Sequence, residues 1–472
     1  MAETTYDVAI IGSGPAGYTA AIRAGQWGLK TALIEKDRQL GGTCLHVGCI
    51  PTKALLFNAE IMEHVQSAKE FGIEGLGTPK VNWATIQDRK NKIVQKHTKG
   101  LEFLMRKNKV ETISGWGSLT GPAQGGVHTV NVAQEGGAAK QIKAKSVILA
   151  TGSEARMLPG LKADERILTN IEILSLKEIP KSLVVIGSGA VGVEFASIYK
   201  SFGTDVTILE MLPRMVPVED EEISKELQRA FRKRGINFHV SAKVETVEKT
   251  KNGVAVEFNV DGKKQRTEAE KVLIAVGRAP RTQNVGIEKT KIKVERSFIH
   301  TDGYMQTAEP GIYATGDIVA GYPQLAHSGF AEAIVAVAKI AGKPVKPIRT
   351  ELIPGATYCE PQIGSVGLTE AQAKEKGYEV KIGKFPFSAN SKASIVNAHE
   401  GFIKIVAEAK YGEVLGVHII GPSATDLIAE AVAEMQLEAT ADEIAATIHA
   451  HPTLTEAMWD AANAVYGLAI DM

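Results

Sequence analysis

The chain repeats itself, and the repeat constrains its architecture more than any other feature. The apolar run Val8-Ala9-Ile10-Ile11 leads into Gly12-Ser13-Gly14-Pro15-Ala16-Gly17, a helix-like stretch ending near Gly28, and a second apolar run, Thr31-Ala32-Leu33-Ile34, closed by Glu35. From Leu183 the plan recurs: Val184-Val185-Ile186, then Gly187-Ser188-Gly189-Ala190-Val191-Gly192, then Thr207-Ile208-Leu209-Glu210. Gly12 and Gly187, Gly14 and Gly189, Gly17 and Gly192, Gly28 and Gly203, and Glu35 and Glu210 are all offset by 175 residues. A single Gly-x-Gly-x-x-Gly is a weak signal. Two of them carry weight when each follows a strand, opens a helix and precedes a carboxylate at a strand end 18 residues further on.

Each glycine has its own physical task. The first makes a tight turn, the second lets backbone approach a pyrophosphate, and the third lets helix and strand pack closely. The helix N-terminus then turns its unpaired N–H groups toward the phosphates. Glu35 and Glu210 are placed to accept hydrogen bonds from an adenosine ribose, so the chain reads as built for two dinucleotides. A carboxylate at Glu210 repels a 2′-phosphate, which favours NAD over NADP. Arg214, four residues on, is either a counter-signal or a surface charge. Two buried-strand runs, Val147 to Gly152 (ending Thr151-Gly152) and Val272 to Gly277, each close one nucleotide segment. A third, Ile312-Tyr313-Ala314-Thr315-Gly316-Asp317, places Asp317 either to meet a ribityl chain or to cap the helix that follows.

Just past the first fingerprint stands Gly41-Gly42-Thr43-Cys44-Leu45-His46-Val47-Gly48-Cys49-Ile50-Pro51-Thr52-Lys53, holding two of only three cysteines in 472 residues. Such scarcity rules out a disulfide scaffold and fits a reducing compartment in which a disulfide is catalytic. A metal site is disfavoured because no second cysteine pair exists. On an ideal helix, residues five apart have Cα atoms about 8.6 Å apart. A disulfide rarely tolerates more than about 7 Å. The backbone between Cys44 and Cys49 must therefore leave regular helix, and Gly48 makes that departure cheap. If a helix resumes at Cys49, Lys53 shares its face and favours thiolate over thiol; the bland reading is an exposed lysine. An ordinary thiol is only about 3% thiolate at neutral pH, so dithiol chemistry needs a base. His451 with Glu456, in His449-Ala450-His451-Pro452-Thr453-Leu454-Thr455-Glu456, meets that need, and His449 with another acid is the rival.

A length of 472 residues calls for about two to four domains. Lys plus Arg and Asp plus Glu both number 54, so no global field favours nucleic acid or anionic lipid. The basic stretch from Arg89 to Lys109 is interleaved with apolar residues and reads as the solvated face of an amphipathic helix. Asp426, Glu430, Glu434, Glu438 and Asp442 recur at four-residue steps and form either a docking stripe for a basic partner or a solvated helix face. No window holds 18 uninterrupted apolar residues, so no membrane span is expected. The first residues carry no basic start or apolar signal core, and a cytoplasmic location is the expectation. Cys359 has no nearby partner in sequence and reads as a buried structural thiol.

Together these motifs resemble the pyridine nucleotide–disulfide oxidoreductases along the whole chain. The carriers are Gly41 to Cys44, Cys49 to Leu55, the doubled fingerprints, Ala314 to Asp317, and His449 to Ala457. The resemblance implies an α/β fold with two Rossmann-like dinucleotide-binding domains and an α+β C-terminal dimerisation domain. The implied layout is a flavin-binding segment at 1–150, a nicotinamide domain at 151–275, a second flavin segment at 276–345 and an interface domain at 346–472. Gly12, Gly14, Gly17, Glu35, Lys53, Thr151, Gly152, Asp317 and Ala326 would hold FAD. Gly187, Gly189, Gly192, Glu210 and Gly277 would hold NAD, with Glu194 pairing Lys53 near the flavin. Cys49 would be the flavin-side sulfur, Cys44 the sulfur that meets substrate, and His451 with Glu456 the base of a homodimer, reaching the disulfide of the other subunit. The implied activity is oxidation of protein-bound dihydrolipoyl groups with NAD⁺, serving a lipoyl-bearing protein of a 2-oxo acid dehydrogenase or glycine cleavage complex. The alternative is an NADPH-dependent reductase of a glutathione-like disulfide. Departures from the family pattern are His46 where Asn is commoner, Thr52 for Ser, Arg281 for Asn, and Ala333 where Gly is expected.

Overall fold

A computed structural model of the protein describes residues 5–134 and 136–471, and the four N-terminal residues of the sequence reading lie outside them. The chain forms two compact units. One comprises Met1–Ala54, Thr85–Arg156 and Arg278–Arg349; the other comprises Leu55–Ala84, Met157–Gly277 and Thr350–Met472.

The first unit is built on a seven-stranded sheet. Glu111–Ser114, Thr31–Glu35, Thr5–Ile11 and Lys140–Leu149 run side by side in parallel, and Ile312–Ala314 joins Lys140–Leu149, also in parallel. His128–Ala133 and Trp116–Leu119 extend the sheet antiparallel. The central strands are apolar throughout because both faces are covered. Val8, Ile10, Leu33 and Ile148 point to the side occupied by the helices Pro15–Gln26 and Ala326–Ile340. Ala9, Ile11, Ile34 and Leu149 point the other way, toward Val130 and Val132. This is the period-two alternation of a pleated strand. Small residues let the two helices approach: a Cβ on Gly329 would lie 3.2 Å from that of Ala16.

The second unit carries the repeat. Asn237–His239, Asp205–Leu209, Ser182–Ile186, Lys271–Ile274 and Ile167–Leu168 form a parallel sheet in that order. Its register copies that of the first unit: Val8 pairs with Thr31 and Ile11 with Ile34, as Leu183 pairs with Val206 and Ile186 with Leu209. An antiparallel three-stranded sheet covers 242–269. Beyond it, Gly355–Thr357, Gln362–Gly367, Val414–Gly421, Phe402–Glu408 and Val380–Pro386 form a five-stranded antiparallel sheet, packed by the helices Ala424–Gln436, Ala441–Ala446 and Glu456–Ala464. The architecture is thus α/β with two Rossmann-like sheets and an α+β C-terminal portion.

The basic stretch forms the helix Trp83–Lys107 with Arg89, Lys92, Lys96, Lys99, Arg106 and Lys107 exposed, as read, while Lys90 is buried and donates to Gln87 Oε1 at 2.6 Å. One charge reading needs correcting: the acidic series is not one solvated stripe. Asp426, Glu438 and Asp442 are exposed, yet Glu430 binds His449 and Glu434 has a buried carboxyl oxygen.

Lys404, 1% exposed on Phe402–Glu408, holds this unit together from inside. Its ammonium meets Glu370 Oε2 at 2.7 Å, Glu222 Oε2 at 2.9 Å and Asp220 Oδ1 at 3.0 Å. Burial alone would push the ammonium down, but these three bonds outweigh it and hold it up. The partner carboxyls of Asp220 and Glu222 are held below their ordinary values against their own burial, and that of Glu370 chiefly by Lys374 and Lys404. Breaking a buried ion cluster by removing one partner costs about 3–5 kcal/mol. Lys404→Met is therefore expected to lower stability by about that amount in urea unfolding. Carboxyls depressed in the folded state contribute stability above their ordinary titration range and lose it as pH falls. The variant's stability should consequently change less than wild type's between about pH 7 and pH 4.

Candidate active site

The two fingerprints are superposable in detail. Gly12 has φ +102° and Gly187 φ +100°, and a Cβ on either would fall 2.3–2.4 Å from the carbonyl oxygen of Ala150 or Ala275. A Cβ on Gly17 would strike Gly12 O at 1.8 Å, and one on Gly192 would strike Gly187 O at 2.0 Å. These are the turn and packing roles expected of the first and third glycines. At Gly14 and Gly189, the N-cap residues of the helices Pro15–Gln26 and Ala190–Ser201, a Cβ would meet nothing within 4 Å. Open space in front of each helix N-terminus leaves backbone N–H groups for a phosphate.

The acidic residues are held by serines that the sequence reading missed. Ser13 donates to Glu35 Oε2 through its N–H at 2.8 Å and its hydroxyl at 2.6 Å, while Asp37 N–H binds Oε1 at 2.9 Å. Ser188 donates to Glu210 Oε2 through both groups at 2.8 Å, and Leu212 N–H binds Oε1 at 2.8 Å. A carboxylate has about four acceptor sites, so each still has capacity for a ribose hydroxyl. The middle residue of both G-S-G triplets, repeated at the 175 offset, was the available signal. Arg214 is occupied locally, donating to Pro217 O at 2.9 Å.

In the first unit the helix Gly42–Val47 ends at Gly48, whose φ −144° and ψ −120° break it before Cys49–Ser67 begins. A Cβ at Gly48 would lie 2.9 Å from Thr43 O. Both cysteines are partly buried, as is Lys53. The Cys44 thiol is pushed well up, first by its hydrogen bond to the Cys49 sulfur, then by burial and the Cys49 charge; Lys53 pulls the other way. Cys44 therefore keeps its proton more firmly than an ordinary thiol does. Burial, then the charges of Cys44 and Cys49, push the Tyr18 hydroxyl up to about 12.

Asp317 is not the cap of the following helix, because Leu325 holds that position ahead of Ala326. Asp317 Oδ2 accepts from the Ser153 hydroxyl, and Ser153 in turn accepts from Arg278 Nε at 2.6 Å. Arg278 Nε lies 3.7 Å from the same carboxyl oxygen. Thr151 and Gly152 sit beside this group: Thr151 Oγ1 donates to Arg281 O at 2.5 Å, and Arg281 N–H binds Gly152 O at 2.8 Å. The hydroxyl of Thr315, fully buried, has no hydrogen-bond partner among the described residues. Glu332 lies beneath, accepting from Gly316 N–H and Ser328 Oγ at 2.6 Å, and burial pushes its carboxyl up to about 7. Neither Arg278 nor Glu332 was anticipated. An open fingerprint, a gripped ribose carboxylate and an orphaned buried hydroxyl in the Thr315-Gly316-Asp317 turn fit an extended dinucleotide in this unit.

In the second unit, buried Glu194 accepts from Tyr358 N–H at 3.0 Å. Gly277 has φ +103° with open space at its Cβ. His451, its side chain 70% exposed, turns Nδ1 to Glu456 Oε1 at 2.8 Å. The second oxygen of Glu456 accepts from Thr453 N–H at 2.7 Å. Burial works against ionisation of Glu456, but the Thr453 and His451 bonds hold its carboxyl below the ordinary range. A neutral His451 protonated at Nδ1 presents an Nε2 lone pair, the geometry of a general base. The rival histidine differs: only 6% of the His449 side chain is exposed, and its Nε2 lies 2.6 Å from Glu430 Oε1.

A doubled dinucleotide fold carrying a close cysteine pair defines a flavin- and pyridine-nucleotide-dependent disulfide oxidoreductase. The chain belongs to that family: residues 6–333 match the model for pyridine nucleotide-disulphide oxidoreductases and residues 353–462 the model for their dimerisation domain. Among relatives, it is 44% identical to a dihydrolipoyl dehydrogenase of Bacillus subtilis, with 99% of each chain covered. It is 43% identical to the dihydrolipoyl dehydrogenase of Rhizobium etli over 100% of both. Among solved structures it resembles LpdA of Mycobacterium tuberculosis, with TM-score 0.89, 28% identity and 98% and 99% coverage of the two chains. It also resembles the HOCl-induced flavoprotein disulfide reductase RclA of Escherichia coli, with TM-score 0.86, 26% identity and the same coverage. No helix among the described residues is long and apolar enough to cross a membrane.

Proposed function

We infer that the protein oxidises protein-bound dihydrolipoyl groups to the lipoyl disulfide and reduces NAD⁺ to NADH. The observation that carries this reading is the Cys44–Cys49 pair, brought together across the Gly48 break with a hydrogen bond between the two sulfurs. FAD supplies, when bound, the two-electron step between dithiol and nicotinamide. Gly12, Gly14, Gly17, Glu35, Lys53, Thr151, Gly152, Asp317 and Ala326 would hold it, with segments 1–150 and 276–345 as its body. Gly187, Gly189, Gly192, Glu194, Glu210 and Gly277 would serve the nicotinamide segment, 151–275.

The chain's own residues then act as follows. In the disulfide state, a substrate thiolate attacks Cys44 Sγ, and the S–S bond breaks to leave Cys49 as thiolate. His451 Nε2 takes the proton that the substrate thiol gives up, while Glu456 holds the ring by Nδ1–H. The second substrate thiol passes its proton to Cys44 as its sulfur closes the lipoyl ring and expels Cys44, which leaves as thiol while the first proton stays on His451. Lys53 favours the charge on the sulfurs.

The working form is a homodimer through residues 346–472, in the cytoplasm, serving a lipoyl-bearing protein of a 2-oxo acid dehydrogenase or glycine cleavage complex. Support for the dimer is the dimerisation-domain match and the exposure of Ile448 (97%) and Leu437 (81%), large apolar side chains that solvent would not favour. The NADPH alternative is opposed by the Glu210 carboxylate, fixed by Ser188 where a 2′-phosphate would sit.

The direct test is to mix the purified yellow enzyme with dihydrolipoamide and NAD⁺, then NADP⁺, and follow reduced-nicotinamide absorbance. Rapid NAD⁺ reduction is expected, and none with either nucleotide would end the reading. Glu210→Arg should shift the NADP/NAD preference by roughly tenfold or more, since it replaces repulsion of the phosphate by a charge-assisted bond. An unchanged ratio of kcat/KM values would mean that another group reads the ribose.

A further inference from the structure

The acidic series and the second histidine, which the proposed reaction leaves unused, form one connected group. His449 Nδ1 lies 2.9 Å from Thr447 O, and His449 Nε2 lies 2.6 Å from Glu430 Oε1. Thr447 O can only accept, so Nδ1 donates to it, and Nε2 shares a proton with the Glu430 carboxyl. His451 is held through Nδ1 by Glu456. Two histidines two residues apart thus differ in how their partners hold them.

One helical turn beyond Glu430, Glu434 completes the group. Its Oε2 is buried and has no hydrogen-bond partner among the described residues. The charges that face it are Glu430 on its own helix and His449 from the segment after Ala441–Ala446. Burial and Glu430 push its carboxyl up to about 7, with His449 opposing. The His449 charge is also felt by Glu456, the carboxylate that orients His451. Thr447 and His449 fix one side of the short segment carrying His451, and the Thr453 N–H bond to Glu456 fixes the other.

We propose that His449 is a positioning residue for His451, clamped through both ring nitrogens to Thr447 and Glu430. The proposal rests on His451 being the base.

The test uses the flavin-loaded enzyme with dihydrolipoamide and NAD⁺ across pH, and separately follows flavin reduction by NADH, a half-reaction that does not call on His451. His449→Ala should lower kcat with dihydrolipoamide by about 10- to 100-fold, the scale of a small misplacement of a reacting group. KM for NAD⁺ and the NADH half-reaction should stay within twofold of wild type. His449→Gln, able to donate to one acceptor but not both, should fall between the two. A His449→Ala enzyme within twofold of wild type, alongside a His451→Gln enzyme that has lost activity, would overturn the proposal and leave the base in place. If His451→Gln is also active, the base assignment itself falls. A parallel loss of the NADH half-reaction would mean general disruption and would overturn positioning. If His449→Ala does not fold, His449→Gln decides by the same criteria.

Discussion

Cys49→Ser is expected to give a folded, yellow protein whose dihydrolipoamide-dependent NAD⁺ reduction is at least about 10³-fold below wild type. The flavin should stay because none of the contacts proposed to hold it uses the Cys49 side chain: the glycine turns, the Ser13 grip on Glu35 and the Ser153–Asp317 contact are all elsewhere. Turnover should go because a serine oxygen neither closes a disulfide nor carries a stable negative charge at neutral pH, whereas a cysteine sulfur can do both. Cys44→Ser should be equally inactive for a different reason, since it removes the thiol that donates to Cys49 and receives the substrate sulfur. Flavin content by absorbance and turnover by nicotinamide reduction check both. Residual activity above a few percent in the Cys49 variant would refute the disulfide as the working group.

His451→Gln should lower turnover by about 10²- to 10⁴-fold, the range of general acid–base catalysis. Glutamine is the informative replacement because its amide still donates to Glu456 while offering no basic nitrogen. The bond lost is therefore to the proton, not to the fold. Reduction of the flavin by NADH should be unchanged. A loss under tenfold would move the role of base to another residue.

Much of this architecture was legible in the chain because it is encoded locally. A positive φ at Gly12, a near-contact at Gly17 and open space at Gly14 depend on a few consecutive residues, and so does the helix break at Gly48. Apolar runs such as Val8 to Ile11 announce a strand buried on both faces whatever lies far away. The doubling of those patterns made two nucleotide folds readable without any contact being known.

What escaped the sequence reading involves polar groups whose partners are remote or unexpected. Asp317 pointed to a helix cap or a ribityl chain, but Ser153 and Arg278, which hold it, are separated from one another by 125 residues. Lys404 looks like any strand lysine until Asp220, 184 positions away, and Glu370, 34 away, are brought around it. The acidic series suggested a solvated helix, yet one turn of Ala424–Gln436 faces inward at Glu434.

The chain on its own settled the two nucleotide folds and the redox pair, since backbone geometry and hydrophobic period are properties of neighbouring residues. Only the folded molecule decided which charged groups lose their water, which serines grip which carboxylates, and which of two histidines is left with a free nitrogen. Those outcomes depend on desolvation and on acceptors supplied by distant segments, and no local pattern specifies either.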